Sequence, residues 1–181
     1  QGEEALAKLS VRERSDLCLR LAAAVESRKE ELARLISLEQ GKPYKTEALG
    51  EIEGALLAVR EAAEQIKWLE SDFIPVADKH KKVFTVRKPR GTYAVITPWN
   101  FPVAIPLQYI GPALAAGNTV VWVPAPTTSL IAVKLMECMA EADLPVGALN
   151  LVTGYGNVVG DEIVANPGTS GIAFTGSFLR R

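Results

Sequence analysis

Apolar residues recur at three- and four-residue spacing through roughly the first 70 positions, which is the pattern of amphipathic helices. Ser10-Val11-Arg12-Glu13 has the form of a capping box, and the helix it opens runs on through Leu17, Leu21 and Val25. Ser27-Arg28-Lys29-Glu30 has the same form. Leu32, Leu35, Ile36 and Leu38 follow at helical spacing, and Gly41 supplies a stop before Pro43. Thr46 opens a third helix, with Leu56, Val59, Ala63, Ile66 and Leu69 on its apolar face. Gly50 and Gly54 weaken its first half, each by ~1 kcal/mol relative to alanine unless packing requires them.

The texture changes at Val76. Asp78-Lys79-His80-Lys81-Lys82 reads as a polar turn, and Val83 to Arg87 alternates as a strand before the Pro89-Arg90-Gly91 turn. From Tyr93 onward short apolar runs alternate with helical stretches. Strands are expected at Tyr93 to Thr97, Thr119 to Val123, Leu149 to Val152 and Gly171 to Phe174. Helices are expected at Pro102 to Ala116, from Thr127 or Thr128 to about Asp143, and at Asn157 to Ala165. Leu130, Val133, Met136 and Ala140 mark an apolar face of the second of these. Thr175-Gly176-Ser177 reads as a turn into a further helix.

Strands separated by helices imply right-handed crossovers and a parallel sheet. The expected fold is α/β, a doubly wound parallel sheet preceded by a helical segment and a β-hairpin. The expected units are 1–75, 76–92 and 93–181. Sheets of this kind bind ligands outside the carboxyl ends of their strands. The chemically unusual segments sit there: Pro98-Trp99-Asn100, Pro124-Ala125-Pro126, Gly154-Tyr155-Gly156 and Thr175-Gly176-Ser177.

Composition narrows the class further. Twenty Lys and Arg stand against 21 Asp and Glu, so no charge excess points to nucleic acid or an anionic membrane. No apolar run approaches the ~20 residues of a membrane span. Two cysteines make no disulfide framework, and the reading is a reducing, cytoplasmic setting. One histidine is too few for a His-rich metal site, and no metal is expected. Cys18 and Cys138 each sit inside a helical pattern, where burial leaves a thiol inert. Trp68 and Trp122 read as packing residues, and His80 as solvated. Asp161 and Glu162 read as first-turn charges of a helix.

Thr97-Pro98-Trp99-Asn100-Phe101-Pro102 is the most specific element. Two prolines make the turn rigid, and a rigid turn at a strand's carboxyl end can aim the Asn100 amide into a cleft. Such an amide can stabilise a developing oxyanion. On spacing alone, an Asx turn in which Asn100 bonds its own backbone is the stronger reading. Gly154-Tyr155-Gly156-Asn157-Val158-Val159-Gly160 has GxGxxxG rather than GxGxxG spacing, a weak dinucleotide signal that a tight turn explains equally well.

Four ordered blocks resemble the aldehyde dehydrogenase superfamily. They are Glu39-Gln40-Gly41-Lys42-Pro43; Pro89-Arg90-Gly91 through Pro102; Gly111 through Val121; and Phe174-Thr175-Gly176-Ser177. The resemblance implies roles for residues within and between these blocks. Asn100 is then the oxyanion-hole amide, and Ile96, Thr97, Pro98 and Trp99 line the cofactor path. Val123, Pro124, Ala125 and Pro126 run under the adenosine ribose, while Gly156, Asn157 and Gly160 border the adenine. Phe174, Thr175, Gly176 and Ser177 lead to the pyrophosphate at a helix N-terminus. Val83 to Arg87 belongs to a hairpin that mediates homo-oligomerisation. The implied cofactor is NAD or NADP, and the implied substrate a small aldehyde oxidised to a carboxylic acid.

Three departures from the family pattern stand out. Val123 takes the place of a ribose-binding lysine, and Pro126 that of a glutamate, so neither usual discriminator of NAD from NADP is present. After Ser177 the chain reads Phe178-Leu179-Arg180-Arg181, without the family's cysteine nucleophile or glutamate base. The chain opens on Gln1, and reads as an internal piece of a longer enzyme, inactive alone. Two other readings stay open: a non-catalytic nucleotide-binding or assembly module, and a coenzyme-A-acylating semialdehyde dehydrogenase.

Overall fold

A computed structural model describes residues 1–177. The helix expected after Thr175-Gly176-Ser177, and the Phe178 to Arg181 ending, lie outside the described residues. A short helix α1 (Gly2–Ala7), not anticipated, comes first, and Leu6 seats it in the core. The Ser10 capping box forms. The Glu13 N–H donates to Ser10 Oγ at 3.2 Å and the Ser10 N–H donates to Glu13 Oε2 at 2.7 Å, opening α2 (Val11–Ser27).

The second box does not form. Ser27 is the last residue of α2, and its hydroxyl donates back to the Ala24 carbonyl at 2.7 Å. That local bond satisfies the hydroxyl, so it is not free to cap the next helix. The chain breaks at Arg28 and continues as α3 (Lys29–Gln40), which ends at Gly41 with φ 79°. Thr46 does not cap the third helix either. Pro43 starts a widened π-helical turn, Tyr44–Ala48, and its carbonyl accepts from the Glu47 and Ala48 amides. The turn runs directly into α4 (Leu49–Gln65), which buries Ile52, Ala55, Leu56, Val59 and Ala63.

Trp68 was expected to pack but is 79% exposed, because the helical path ends in a short 3-10 turn, Ile66–Trp68, beyond the core. Beyond it, β1 (Phe73–Ile74) pairs antiparallel with β2 (Val83–Phe84). The β1 strand was not anticipated, and the strand read over Val83 to Arg87 is shorter than expected. Cross-bonds end the ribbon early: Thr85 N–H donates to Asp72 O, and Asp72 N–H to Thr85 Oγ1.

The remaining strands form one parallel sheet. They are β3 (Thr92–Ile96), β4 (Thr119–Val123), β5 (Leu149–Leu151) and β6 (Thr169–Phe174), in the order β5-β4-β3-β6. The first strand therefore lies inside the sheet. The chain winds outward to β5, then crosses back to place β6 on the other side of β3. That reversal makes a switch point between neighbouring carboxyl ends.

Helix α5 (Ala104–Ala115) connects β3 to β4, and α6 (Ser129–Ala140) connects β4 to β5. Helices α2 and α4 pack on α5, so one continuous core runs from Leu6 through Val59, Leu107 and Trp122 to Leu149. Gly117, at φ 85°, ends α5, and its N–H and that of Asn118 return to the Leu114 and Ala113 carbonyls. A widened turn, Gly156–Gly160, leads into α7 (Asp161–Ala165) before β6.

Two expectations for α6 fail. Ile131, Ala132, Leu135, Cys138 and Met139 face the core, whereas Leu130 and Val133 are half-exposed and Ala140 is exposed. The sequence between Leu130 and Met139 is apolar nearly all round, so periodicity does not choose the inward face; the neighbouring α3 does. Thr128 supplies no side-chain cap. Its hydroxyl donates to the Ala125 carbonyl, and the first amides of α6 are taken from outside: Leu130 and Ile131 N–H both donate to the Glu39 carboxylate at 2.9 Å.

The glycines of α4 and α5 separate two roles. A Cβ on Gly111 would stand 3.3 Å from the Val59 backbone, whereas one on Gly50 or Gly54 would meet nothing within 4 Å. Gly111→Val is expected to lower stability by about 1–3 kcal/mol. Gly50→Ala and Gly54→Ala are each expected to raise it by about 0.5–1 kcal/mol. Urea unfolding of the four chains checks both signs.

Candidate functional site

The carboxyl ends of β3, β4 and β6 open on a cleft of about 1030 Å³. Its size suits a ligand of several rings. Ile96, Thr97, Val123, Pro124, Ala125, Pro126, Gly156, Asn157, Gly160, Phe174 and Ser177 line it. These come from four separate stretches of chain, brought together by the switch in strand order. Gly154 and Tyr155 line it too, in keeping with the glycine-bounded segment at that strand end, and so do Asp161, Val164 and Ile172, which the sequence pattern does not single out. By sequence pattern Asp161 is a first-turn helix charge, and the structure places it there and in the cleft lining at once. Its position one residue beyond the glycine-bounded turn is the signal that places it here.

Five expected cofactor residues do not line this cleft. The Thr175 hydroxyl bonds Tyr109 Oη at 2.7 Å and its N–H donates to Ile96 O, so it closes the seam between β6 and β3. Gly176 lies under the Phe174 ring, where a Cβ would come within 2.7 Å of Cζ. Pro98, Trp99 and Asn100 belong to the turn beyond β3. Trp99 lines a smaller pocket of about 230 Å³ with Glu39, Gln40, Thr127 and Thr128.

The large cleft is apolar on its floor and nearly uncharged. Among the described residues that line it, Asp161 alone carries a formal charge. Val123 is only 3% exposed, so the strand's end presents a methyl-lined edge and no cation. The orientation of β3 is set from below by Trp122, fully buried, whose indole N–H donates to Thr97 Oγ1 at 3.0 Å.

The turn from Pro98 to Pro102 is held differently. The Asx turn does not form: the Asn100 side-chain amide bonds no other described residue, and Asn100 is exposed. Its backbone is fixed instead. Lys42 Nζ donates to the Asn100 carbonyl at 2.7 Å and pairs with Glu51 Oε2 at 2.5 Å. The ammonium also stands 3.9 Å from the centroid of the Phe101 ring. The other carboxylate oxygen, Glu51 Oε1, accepts the Val103 and Ala104 amides at 2.9 and 3.1 Å. The two side chains are 8% and 0% exposed.

The sequence pattern assigns neither Lys42 nor Glu51 a functional role. Lys42 belongs to the Glu39–Pro43 block, which carries family resemblance without a role of its own. Glu51 lies one turn before Ala55, on the buried face of α4, and a carboxylate on an apolar stripe is the signal that was available.

A profile of the aldehyde dehydrogenase family matches residues 1–178. The chain belongs to the aldehyde dehydrogenase family. It is 41% identical over 177 residues to an alpha-ketoglutaric semialdehyde dehydrogenase of Bacillus subtilis, covering 98% of this chain and 36% of that protein. Among solved structures, it resembles a glyceraldehyde-3-phosphate dehydrogenase of Methanocaldococcus jannaschii complexed with NADP. That match has a TM-score of 0.90 and 36% identity, covering 97% of this chain and 39% of the other. It also resembles an NAD-dependent aldehyde dehydrogenase of Sinorhizobium meliloti, with a TM-score of 0.90 and 36% identity, covering 97% of this chain and 36% of that one. This aldehyde dehydrogenase chain thus spans little more than a third of the relatives it matches.

Neither thiol of the aldehyde dehydrogenase chain reaches the cleft. Cys18 and Cys138 are fully buried in α2 and α6. The Cys18 thiol donates to the Gly111 carbonyl at 3.6 Å, tying α2 to α5. Burial pushes it from an ordinary 9.0 up to about 12, and burial raises Cys138 too. Both are therefore neutral thiols near pH 7, unfit as nucleophiles.

Alkylation of the folded chain at pH 8 is expected to be at least about tenfold slower than in denaturant. The folded chain keeps the Cys18 proton in a window where the unfolded chain has lost it. The stability contributed by that neutral thiol is therefore present below about pH 9 and is lost as pH rises toward 12. Denaturant midpoints in that window, compared with Cys18→Ala, read the slope directly; equal slopes in both chains would rule it out.

Proposed function

We propose that this chain forms the cofactor side of an NAD- or NADP-dependent enzyme that oxidises a small aldehyde to a carboxylic acid. The observation that carries the reading is Asn100: a side-chain amide that bonds no other described residue, on a turn whose backbone is anchored, three residues beyond the cleft-lining Thr97. An amide held ready and not spent on its own turn is free to donate to an oxygen that gains charge during reaction.

The cleft fits the cofactor on its own chemistry. Its floor of Ile96, Val123, Ile172 and Phe174 suits a flat base, and the Gly156–Gly160 turn allows close backbone approach. When bound, the cofactor supplies the acceptor for the two electrons removed from the aldehyde carbon. The apolar floor excludes water from the base, and Asn100 Nδ2 donates to the carbonyl oxygen as a thiolate adds to the adjacent carbon. Cys18 and Cys138 are too deeply buried to be that thiolate, so it comes from other sequence of the enzyme. The purified chain is accordingly expected to bind cofactor without oxidising aldehydes.

Charge favours NAD over NADP. A 2′-phosphate would enter a cleft whose formally charged described side chain is the Asp161 carboxylate, with Val123 where the family carries a lysine. The exposed apolar ribbon of β1 and β2, with Phe73 at 66% and Phe84 at 64%, supports its role in homo-oligomer assembly. Two free buried thiols support a reducing, cytoplasmic setting.

Calorimetric titration of the chain with NAD and with NADP tests this reading. NAD is expected to bind more tightly, and Val123→Lys to strengthen NADP binding by about tenfold or more through a charge-assisted bond. Tighter binding of NADP by the unaltered chain, or a lysine without effect, would refute the charge argument. Absence of binding to either would refute the cofactor reading.

A further inference from the structure

We infer that Lys42 and Glu51 are positioning residues for Asn100, setting where its amide aims without themselves touching substrate. The inference rests on the reading of Asn100 as the oxyanion donor.

The turn is held at both ends. On its amino side the chain is fixed at Thr97, whose N–H donates to Val123 O at 3.1 Å and whose hydroxyl accepts from Trp122. On its carboxyl side it is fixed at Val103 and Ala104, through the Glu51 carboxylate. Pro98 and Pro102 have no N–H to offer. Between these fixed ends, the bond across the fold is the one from Lys42 Nζ to the Asn100 carbonyl. It acts on the residue whose side chain is to be aimed.

The ammonium has its own reasons to stay. It is paired with Glu51, lies against the Phe101 ring, and is largely removed from water. A buried cation held by a carboxylate, a carbonyl and a ring has little freedom, so it transmits the rigidity of α4 to the turn. Glu51 divides its oxygens between Lys42 and the first amides of α5. One ion pair therefore fixes both the Asn100 backbone and the helix that follows it. Geometry at this scale matters: a displacement of about 1 Å in a catalytic donor can lower the rate by about a hundredfold.

The test uses the complete aldehyde-oxidising enzyme that contains this chain. Wild type, Asn100→Ala, Lys42→Met with Glu51→Gln, and all three changes together are compared for kcat, cofactor KM and unfolding midpoint. The paired change removes both charges at once, and the glutamine oxygen still accepts the two α5 amides, so folding is expected to survive. The Asn100 carbonyl nevertheless loses its donor. The expected result is a fall in kcat of about tenfold or more, with cofactor KM changed less than about twofold. On the Asn100→Ala background the paired change should alter kcat by less than about twofold, because nothing remains to be aimed.

An unchanged kcat in the paired variant, or an equal fall on both backgrounds, would overturn the inference. If Asn100→Ala itself leaves kcat unchanged, the underlying reading of Asn100 fails, a result distinct from both. Should the paired variant not fold, Lys42→Arg carries the test. It keeps donors for both oxygens, and is expected to retain kcat within about threefold at a shifted unfolding midpoint. A fall in kcat of the same size on the wild-type and Asn100→Ala backgrounds would count against positioning through this donor.

Discussion

The N-termini of α5 and α6 have no capping side chain of their own, and the arrangement of the protein follows from how that deficit is met. The first amides of a helix have no partner within it and must find acceptors elsewhere. Val103 and Thr128, at the two junctions, offer none. Carboxylates from the preceding helices do: Glu51 of α4 for α5, and Glu39 of α3 for α6. A negative group at a helix N-terminus is also favoured by the helix dipole. The N-terminal helices are thus joined to the sheet layer by chemistry as well as by apolar packing.

These two caps lie beside the functional surface. The turn after β3 leads into α5, and the turn after β4 leads into α6, so whatever fixes the start of each helix fixes the loop before it. At α5 the capping carboxylate is shared with Lys42, and the network reaches the Asn100 backbone. At α6, Glu39 stands beside Trp99 and Thr128 in the smaller pocket. The parallel order β5-β4-β3-β6 puts both loops at the same end of the sheet. The cleft is therefore a consequence of topology, while its rim is shaped by carboxylates carried on other helices.

The alternation of strands and helices was legible from the chain, and so were most boundaries of the sheet. Thr119 to Val123 is a β-branched and aromatic run and forms β4 with those limits. The Ser10 capping box was legible because both its partners lie within four residues. The blocks at strand ends pointed to the cleft, and most of their residues line it. Helix faces were less legible: α6 is apolar nearly all round, and its inward side was misjudged. Ser27 and Thr46 do not cap, and residue type alone reveals neither the bond that holds the Ser27 hydroxyl nor the widened turn, started by Pro43, that encloses Thr46.

What the sequence alone determined, then, are the features governed by near neighbours: strand runs, glycine stops at Gly41 and Gly117, and the rigidity of a turn bracketed by Pro98 and Pro102. What only the tertiary structure decided are the features that need partners distant along the chain. Glu39 meets Leu130 across 91 residues, Glu51 meets Val103 across 52, and Lys42 meets Asn100 across 58. A carboxylate on a helix reads as a solvated charge until the fold removes water from it and places an amide or an ammonium within reach. Burial, which no local pattern records, is what turns those charges into the supports of a site.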